Sequence, residues 1–127
     1  MTAIPALKEA RSFAASKHQL FIGGRWVEPQ SGERFATHDP ATGAHVADVA
    51  RAGQADVDAA VQAARKRMDD PAWAEMKPNA RALLLYRLAD ALEAHADEFA
   101  ALETMDQGKP LRDARFFDLP YAVDLLR

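Results

Sequence analysis

A mixed α/β domain, with strands near the front of the chain and about four helices behind them, is predicted from three observations. The first is a glycine pair, Gly23-Gly24, between the β-prone triplets Leu20-Phe21-Ile22 and Arg25-Trp26-Val27. A two-residue turn of this kind needs positive φ at its centre, which glycine adopts without steric cost, so the segment reads as a hairpin. The second is a change of period after Gly53, where Val57, Val61, Ala64 and Met68 recur at helical spacing. The third is Gly108 followed by Pro110, a left-handed helix cap and then a residue that cannot continue a helix.

The elements follow in order. Residues 1–18 are alanine-rich, with Lys8, Glu9, Arg11 and Lys17, and are compatible with a short helix or a loose arm set apart from a unit covering residues 19–127. After the hairpin, Pro29-Gln30-Ser31-Gly32 breaks the chain and Glu33 to His38 extends. Asp39-Pro40-Ala41-Thr42-Gly43 has proline where a turn wants fixed φ and glycine where it wants positive φ, so His45 to Ala50 returns as a second strand. A helix is predicted from about Ala55 to Met68, with Asp56 and Asp58 in the first turn, where the helix dipole favours acids.

Asp70-Pro71 interrupts that helix, and Pro78 suits the first position of the next because its missing N–H would be unpaired there anyway. Leu84, Leu85, Leu88 and Leu92 form a stripe expected to be core. Asp97 and Glu98 open a further helix, with Phe99, Leu102 and Met105 inward and Gly108 at its end. Phe116, Leu119, Val123 and Leu126 continue at helical spacing, with a kink expected at Pro120. No cap follows Leu126, so the helical run is expected to extend past Arg127.

Composition narrows the function classes. At 127 residues the chain has the size of one domain, and 16 Lys+Arg against 19 Asp+Glu give a net charge of −3 with signs interspersed. That balance offers no footprint for nucleic acid or an anionic membrane. The best basic cluster, Arg65-Lys66-Arg67, falls on the polar side of a predicted helix and reads as a solvated face. No apolar run approaches the roughly 18 residues that span a bilayer, and Met1-Thr2-Ala3-Ile4-Pro5 has no charged start followed by an apolar stretch, so a soluble, unsecreted, cytoplasmic protein is expected. Cysteine is absent, which removes disulfides, zinc–thiolate sites and thiolate nucleophiles from this chain.

The remaining constellations read as structural. His18, His38, His45 and His95 have neither i,i+4 pairing nor metal-like carboxylate spacing. Gly23-Gly24 lacks the third glycine of a dinucleotide fingerprint and precedes a strand. Asp69-Asp70 before Pro71 reads as a solvated loop pair, and Phe116, Phe117 and Tyr121 as packing aromatics.

Taken together, a series of short motifs resembles a known family. These are Phe21-Ile22-Gly23-Gly24-Arg25-Trp26-Val27, Ser31-Gly32, Asp39-Pro40-Ala41-Thr42-Gly43 and Asp56-Val57-Asp58-Ala59-Ala60-Val61, then Trp73, Arg81, Leu88-Ala89-Asp90 and Glu103-Thr104-Met105-Asp106-Gln107-Gly108-Lys109-Pro110. In this order and spacing, from about Leu20 to the last residue, the chain resembles the N-terminal part of the NAD(P)-dependent aldehyde dehydrogenases. The resemblance implies the outer part of a Rossmann-like dinucleotide-binding domain, with the hairpin and strands at its edge, in a parent enzyme that oxidises an aldehyde to a carboxylic acid with NAD or NADP. In that family a cysteine thiolate attacks the carbonyl, hydride passes to nicotinamide, and a glutamate-activated water releases the acid. The cysteine, glutamate, oxyanion-holding asparagine and glycine-containing cofactor motif all occur later than this chain reaches, so no catalytic or cofactor-binding residue is assigned and the isolated chain is expected to be inactive.

One ligand site carries over by resemblance. Many members hold a monovalent cation, K+ or Na+, with main-chain carbonyls just before the Asn/Asp-Pro turn and an aspartate in the segment ending Gly-Lys-Pro. The matching positions are Thr37, His38 through its backbone oxygen, and Asp106. A structural alternative has Asp106 accepting hydrogen bonds near a helix end. The resemblance also implies that the rest of the enzyme chain is this segment's partner and that the parent is a homodimer or homotetramer. The stretch Phe117 to Val123 is most like members acting on apolar or aromatic aldehydes. Two positions depart from the pattern: Lys77 stands where Ser or Thr commonly caps, at a cost of about 1 kcal/mol, and Asp39 replaces the commoner asparagine. A noncatalytic interaction module, or the product of a truncated gene, is the alternative the residues leave open.

Overall fold

The computed structural model describes residues 5–127, so the first four residues of the 1–18 segment lie outside the described part. Helix α1 (Pro5–Ala14) comes first, followed by β1 (Leu20–Ile22), β2 (Arg25–Val27), β3 (Arg34–His38) and β4 (His45–Ala50). Helices α2 (Gln54–Asp69), α3 (Pro71–Ala74), α4 (Pro78–Ala94), α5 (Ala96–Gln107) and α6 (Leu111–Asp113) lead into a π-helical turn, Ala114–Asp118, and α7 (Leu119–Leu126). The result is mixed α/β, with the strands in front and the helices behind.

The strands form two separate antiparallel ribbons, β1–β2 and β3–β4. The first closes on Gly23 and Gly24, whose φ values of 59° and 81° are the positive pair that the turn requires. Its register sets Phe21 opposite Trp26, with ring centroids 4.9 Å apart. In the second ribbon Thr37 faces Ala47 but His38 faces His45, so Val46 is an extra residue and the ladder is bulged beside the turn. The chain leading out of α1 also joins β4, because His18 accepts the Ala50 N–H at 3.1 Å and Arg34 ties the same carbonyl at 2.6 Å.

The core is made of small side chains. Ala10 and Ala14 of α1 meet Ala101 and Met105 of α5, with Leu7, Val46, Leu102 and Leu111 around them. A second cluster joins Ala96 and Ala100 of α5 to Ala114 and Leu119. Alanine on both sides lets helix axes approach closely, which is why α5 becomes the axis on which α1, α6 and the π-turn are assembled.

Three expectations are corrected by this packing. Leu84, Leu85 and Leu88 are not core: they are 40 %, 49 % and 49 % exposed, while Leu92 of the same stripe is half-buried, because α4 meets its neighbours through Ala89 and its C-terminal half. Phe99 is exposed on α5, where Leu102 and Met105 do face inward. The aromatics Phe116, Phe117 and Tyr121 do not pack either, and each is more than 60 % exposed.

The expected kink at Pro120 is replaced by the π-turn that precedes it. Ala114, Leu119 and Val123 are buried on one face. The five-residue step from 114 to 119 is off-face in an α-helix of 3.6 residues per turn but in phase when one residue is inserted. The Leu119 N–H accordingly bonds back to the Ala114 carbonyl, and Pro120 sits in the first turn of α7, where its missing N–H costs least.

Candidate functional site

The end of β3, the turn after it and the C-terminus of α5 come together at one corner of the fold. The turn is ordered by Asp39, whose Oδ1 accepts the Ala41 N–H at 2.8 Å while its backbone carbonyl accepts from Gly43 at 2.7 Å. The Ala41 N–H, and after it the Thr42 hydroxyl, hold the Asp39 carboxyl below its usual range. Asparagine at this position would keep the same acceptor, so the charge is an addition to the turn and not its cause.

Across from the turn, α5 ends on Gly108 at φ 76°, with its N–H on the Thr104 carbonyl at 3.0 Å. A Cβ on Gly108 would come within 2.8 Å of the Pro40 ring, so glycine here answers both a conformation and a close approach. The contact seats the turn directly against the helix end that carries Asp106.

Beneath this corner lies an open groove of about 440 Å³, walled by Phe13, Val46, Val49, Phe99 and Leu102. Thr37 and Asp106 both line it, together with His18 and Glu103. Two of the three residues matched to the cation site are therefore brought to one place by elements far apart in sequence. His38 is not a lining residue: its exposed ring lies edge-on to His45 at 5.8 Å, as suits a residue expected to offer only its backbone oxygen.

The donors expected at these three positions are all oxygens. The ladder shifts register between Thr37 and His38, both of which keep partners, and the residue left over is Val46 on the facing strand. Asp106 is exposed and, among the described residues, pairs with no cationic side chain. One carboxylate plus neutral carbonyl oxygens suits K+ or Na+ better than a transition metal. Among the described residues no group of three His, Cys, Asp or Glu side chains is placed to hold a metal ion.

The other histidines have ordinary partners. His18 Nε2 contacts the Ala14 carbonyl at 2.9 Å, His45 pairs with Asp48 at 3.1 Å and His95 with Glu98 at 3.3 Å. Of the basic cluster, Arg67 is paired with Asp70 at 2.6 Å.

Several residues of the motifs prove to be positioning residues whose partners the sequence did not reveal. Asp56 is buried, and its two oxygens accept the Gly53 N–H at 2.9 Å and the Gln30 N–H at 3.0 Å, so it caps α2 and pins the loop before β3. Spacing alone gave it only a dipole role, because the Gln30 partner is distant in sequence. Arg81 lies over the Trp73 ring at 5.2 Å and donates to the Trp73 carbonyl at 3.0 Å, fastening α3 to α4. Lys109 pairs with Asp118 at the end of the π-turn and lies 3.9 Å from Glu103. The Asp118 hydrogen bond pushes its ammonium above the usual lysine range. No local periodicity signals that pair, whose partners are separated by the α6 turn.

Comparisons with known proteins find similarity along most of the chain. The model of the aldehyde dehydrogenase family matches residues 26–127. A phenylacetaldehyde dehydrogenase of Pseudomonas fluorescens is 43 % identical over 110 residues, which are 87 % of this chain and 22 % of that protein. The NADP/NAD-dependent aldehyde dehydrogenase PuuC of Escherichia coli is 41 % identical over 113 residues, 89 % of this chain and 23 % of its own length. Among solved structures, the NAD+ complex of an aldehyde dehydrogenase from Bacillus cereus superposes with a TM-score of 0.89 at 37 % identity, covering 100 % of this chain and 25 % of that one. The chain thus spans about a quarter of the length of the relatives it matches, in their N-terminal part.

Proposed function

The chain belongs to the aldehyde dehydrogenase family, and from that premise we propose that it forms the N-terminal part of an oxidoreductase converting an aldehyde to a carboxylic acid with NAD+ or NADP+. The observation that carries this reading is the joint one: a family match across residues 26–127 and a backbone that follows an NAD+-bound relative along its whole length. Residues 19–127 would then be an incomplete dinucleotide-binding domain and residues 1–18 its leading arm.

Within that reading the 127 residues supply architecture. α5 anchors the helices, and the β-turn at Asp39 and the cap at Gly108 build the corner that would hold K+ or Na+ through Thr37, His38 and Asp106. The nicotinamide cofactor would accept the hydride. No residue here forms the covalent adduct, because the sequence contains no thiol. The outward leucines of α4 would be covered by the rest of the enzyme chain, and the assembled enzyme would be a cytoplasmic homodimer or homotetramer. No helix among the described residues is long and apolar enough to cross a membrane. An apolar or aromatic aldehyde is the proposed substrate class, supported by the aromatic stretch from Phe117 and by the likeness to a phenylacetaldehyde dehydrogenase.

The test is NADH production from propanal and phenylacetaldehyde. The complete polypeptide carrying residues 1–127 is expected to turn over both with NAD+, and the 127-residue chain alone is expected to turn over neither. Turnover by the short chain would overturn the architectural role, and inactivity of the complete polypeptide on every aldehyde would overturn the activity.

A further inference from the structure

We infer that residues 5–19 form a strap that holds the β3–β4 ribbon to α5, and that the strap opens as one unit below the free energy of global unfolding, freeing the ribbon when it does. The strap has an anchor at each end. At the first, Ala10 and Ala14 of α1, 1 % and 5 % exposed, sit against Ala101 and Met105 of α5. At the second, the His18 carbonyl accepts from the Ala50 N–H at 3.1 Å and from the Arg34 guanidinium at 2.6 Å, which grips β4 and β3 together. Lys17 and Gln19 both reach Glu28, at 2.9 Å and 2.7 Å, and Arg34 meets the same carboxylate at 3.2 Å.

The ribbon depends on this bridge because it does not lie flat on α5. Between the two runs the open groove, with Val46 and Val49 on one side and Phe99 and Leu102 on the other, and Phe13 and His18 of the strap line it as well. Val46 reaches the rim of the alanine cluster and Pro40 touches Gly108, while the faces between stand apart. The strap itself is weakly held. α1 has 10 residues, fewer than the roughly 12–15 at which an isolated helix persists in water. Ala10 and Ala14 bury one methyl group each, Phe13 is 57 % exposed, and the exposed Lys17–Glu28 pair adds little. So little buried apolar area sets its opening at the low end of the local range. The second cluster, Ala96, Ala100, Ala114 and Leu119, has no member in the strap, so α5 and α7 stay joined when the strap is open.

Native-state hydrogen exchange in low urea, on the complete polypeptide carrying residues 1–127, tests this. Amides of residues 9–14 and 46–50 are expected to exchange through one shared opening with the same urea dependence, while those of α7 exchange only on global unfolding. Ala10→Asp sets a charge against the alanine cluster and should speed exchange in both segments together, by about tenfold or more, with α7 unchanged. If that variant does not fold, Ala10→Gly only weakens the helix and should speed both by about fivefold. Faster exchange at 9–14 with 46–50 unmoved describes a fraying helix that holds nothing, and overturns the strap. An equal rise that includes α7 makes α1 part of the global core and overturns it as well. The readout is independent of aldehyde turnover, so loss of the catalytic reading leaves this one standing.

Discussion

Two halves of the helical layer use hydrophobicity in opposite ways. Around α5 the buried residues are Ala96, Ala100, Ala101 and Ala114, with Met105 and Leu119 the largest among them. On α4 four leucines, Leu83, Leu84, Leu85 and Leu88, face outward, and the buried residue is Ala89. The buried residues of α5 find their partners within the described residues, on α1, α6, the π-turn and α7, although Phe99 is left exposed. The outer α4 face, with Leu83, Leu84, Leu85 and Leu88, is left uncovered by the described residues. Burial, not hydrophobicity, therefore marks which contacts stabilise the chain itself, and the difference is a measurable one.

The sharpest way to break the comparison is to truncate Leu119, which joins α7 to the alanine cluster. Leu119→Ala is expected to cost about 2–5 kcal/mol, seen as a lowered denaturation midpoint with circular dichroism. A cost below that found for an outward leucine would reverse the assignment of core and surface. Next in size is Gly108→Ala, where a positive φ and the Pro40 ring act together, for a loss of about 1–3 kcal/mol. Adding Pro40→Ala should recover only the steric part.

Smaller still is the effect of Leu84→Ser with Leu88→Ser in the 127-residue chain, expected within about 0.5 kcal/mol because little is lost from an exposed site. The same pair should be severely destabilising in the complete polypeptide, and equal effects in both settings would show that α4 is not a covered face. The smallest effect belongs to Asp39. Its folded-state carboxyl titrates lower than in the unfolded chain, so its contribution is present above the unfolded value and is lost as pH falls through the folded one. Asp39→Asn should keep the turn and flatten that part of an acid titration below pH 3.8, leaving the neutral-pH midpoint almost unmoved.

Local signals carried most of the fold. The glycine pair placed the hairpin, the extended run from His45 to Ala50 coincides with β4, and Gly108 ends α5 in the left-handed conformation expected of it. What failed was the step from periodicity to burial. A stripe such as Leu84–Leu85–Leu88 says that one face is apolar, but not whether its partner lies within the same 127 residues. The Phe116–Leu119–Val123 stripe held at Leu119 and Val123 and failed at Phe116 for another reason: the helix changes pitch between its first and second members, and only the Ala114–Leu119 step, spanning five residues, records it. At the site, Thr37, His38 and Asp106 were legible through family resemblance alone. The tie between Asp56 and Gln30 and the pair between Lys109 and Asp118 join residues whose nearness is created by folding.

The bonding of the Leu119 amide to Ala114 has a consequence for chain length. Everywhere else in a helix, losing one residue rotates all that follows by about 100° and would expose Leu119 and Val123. Between Ala114 and Leu119 the same deletion would merely restore ordinary α-helical winding with both anchors still inward. Of all positions in these helices, this is where an alignment gap of a single residue can fall without disturbing what lies on either side.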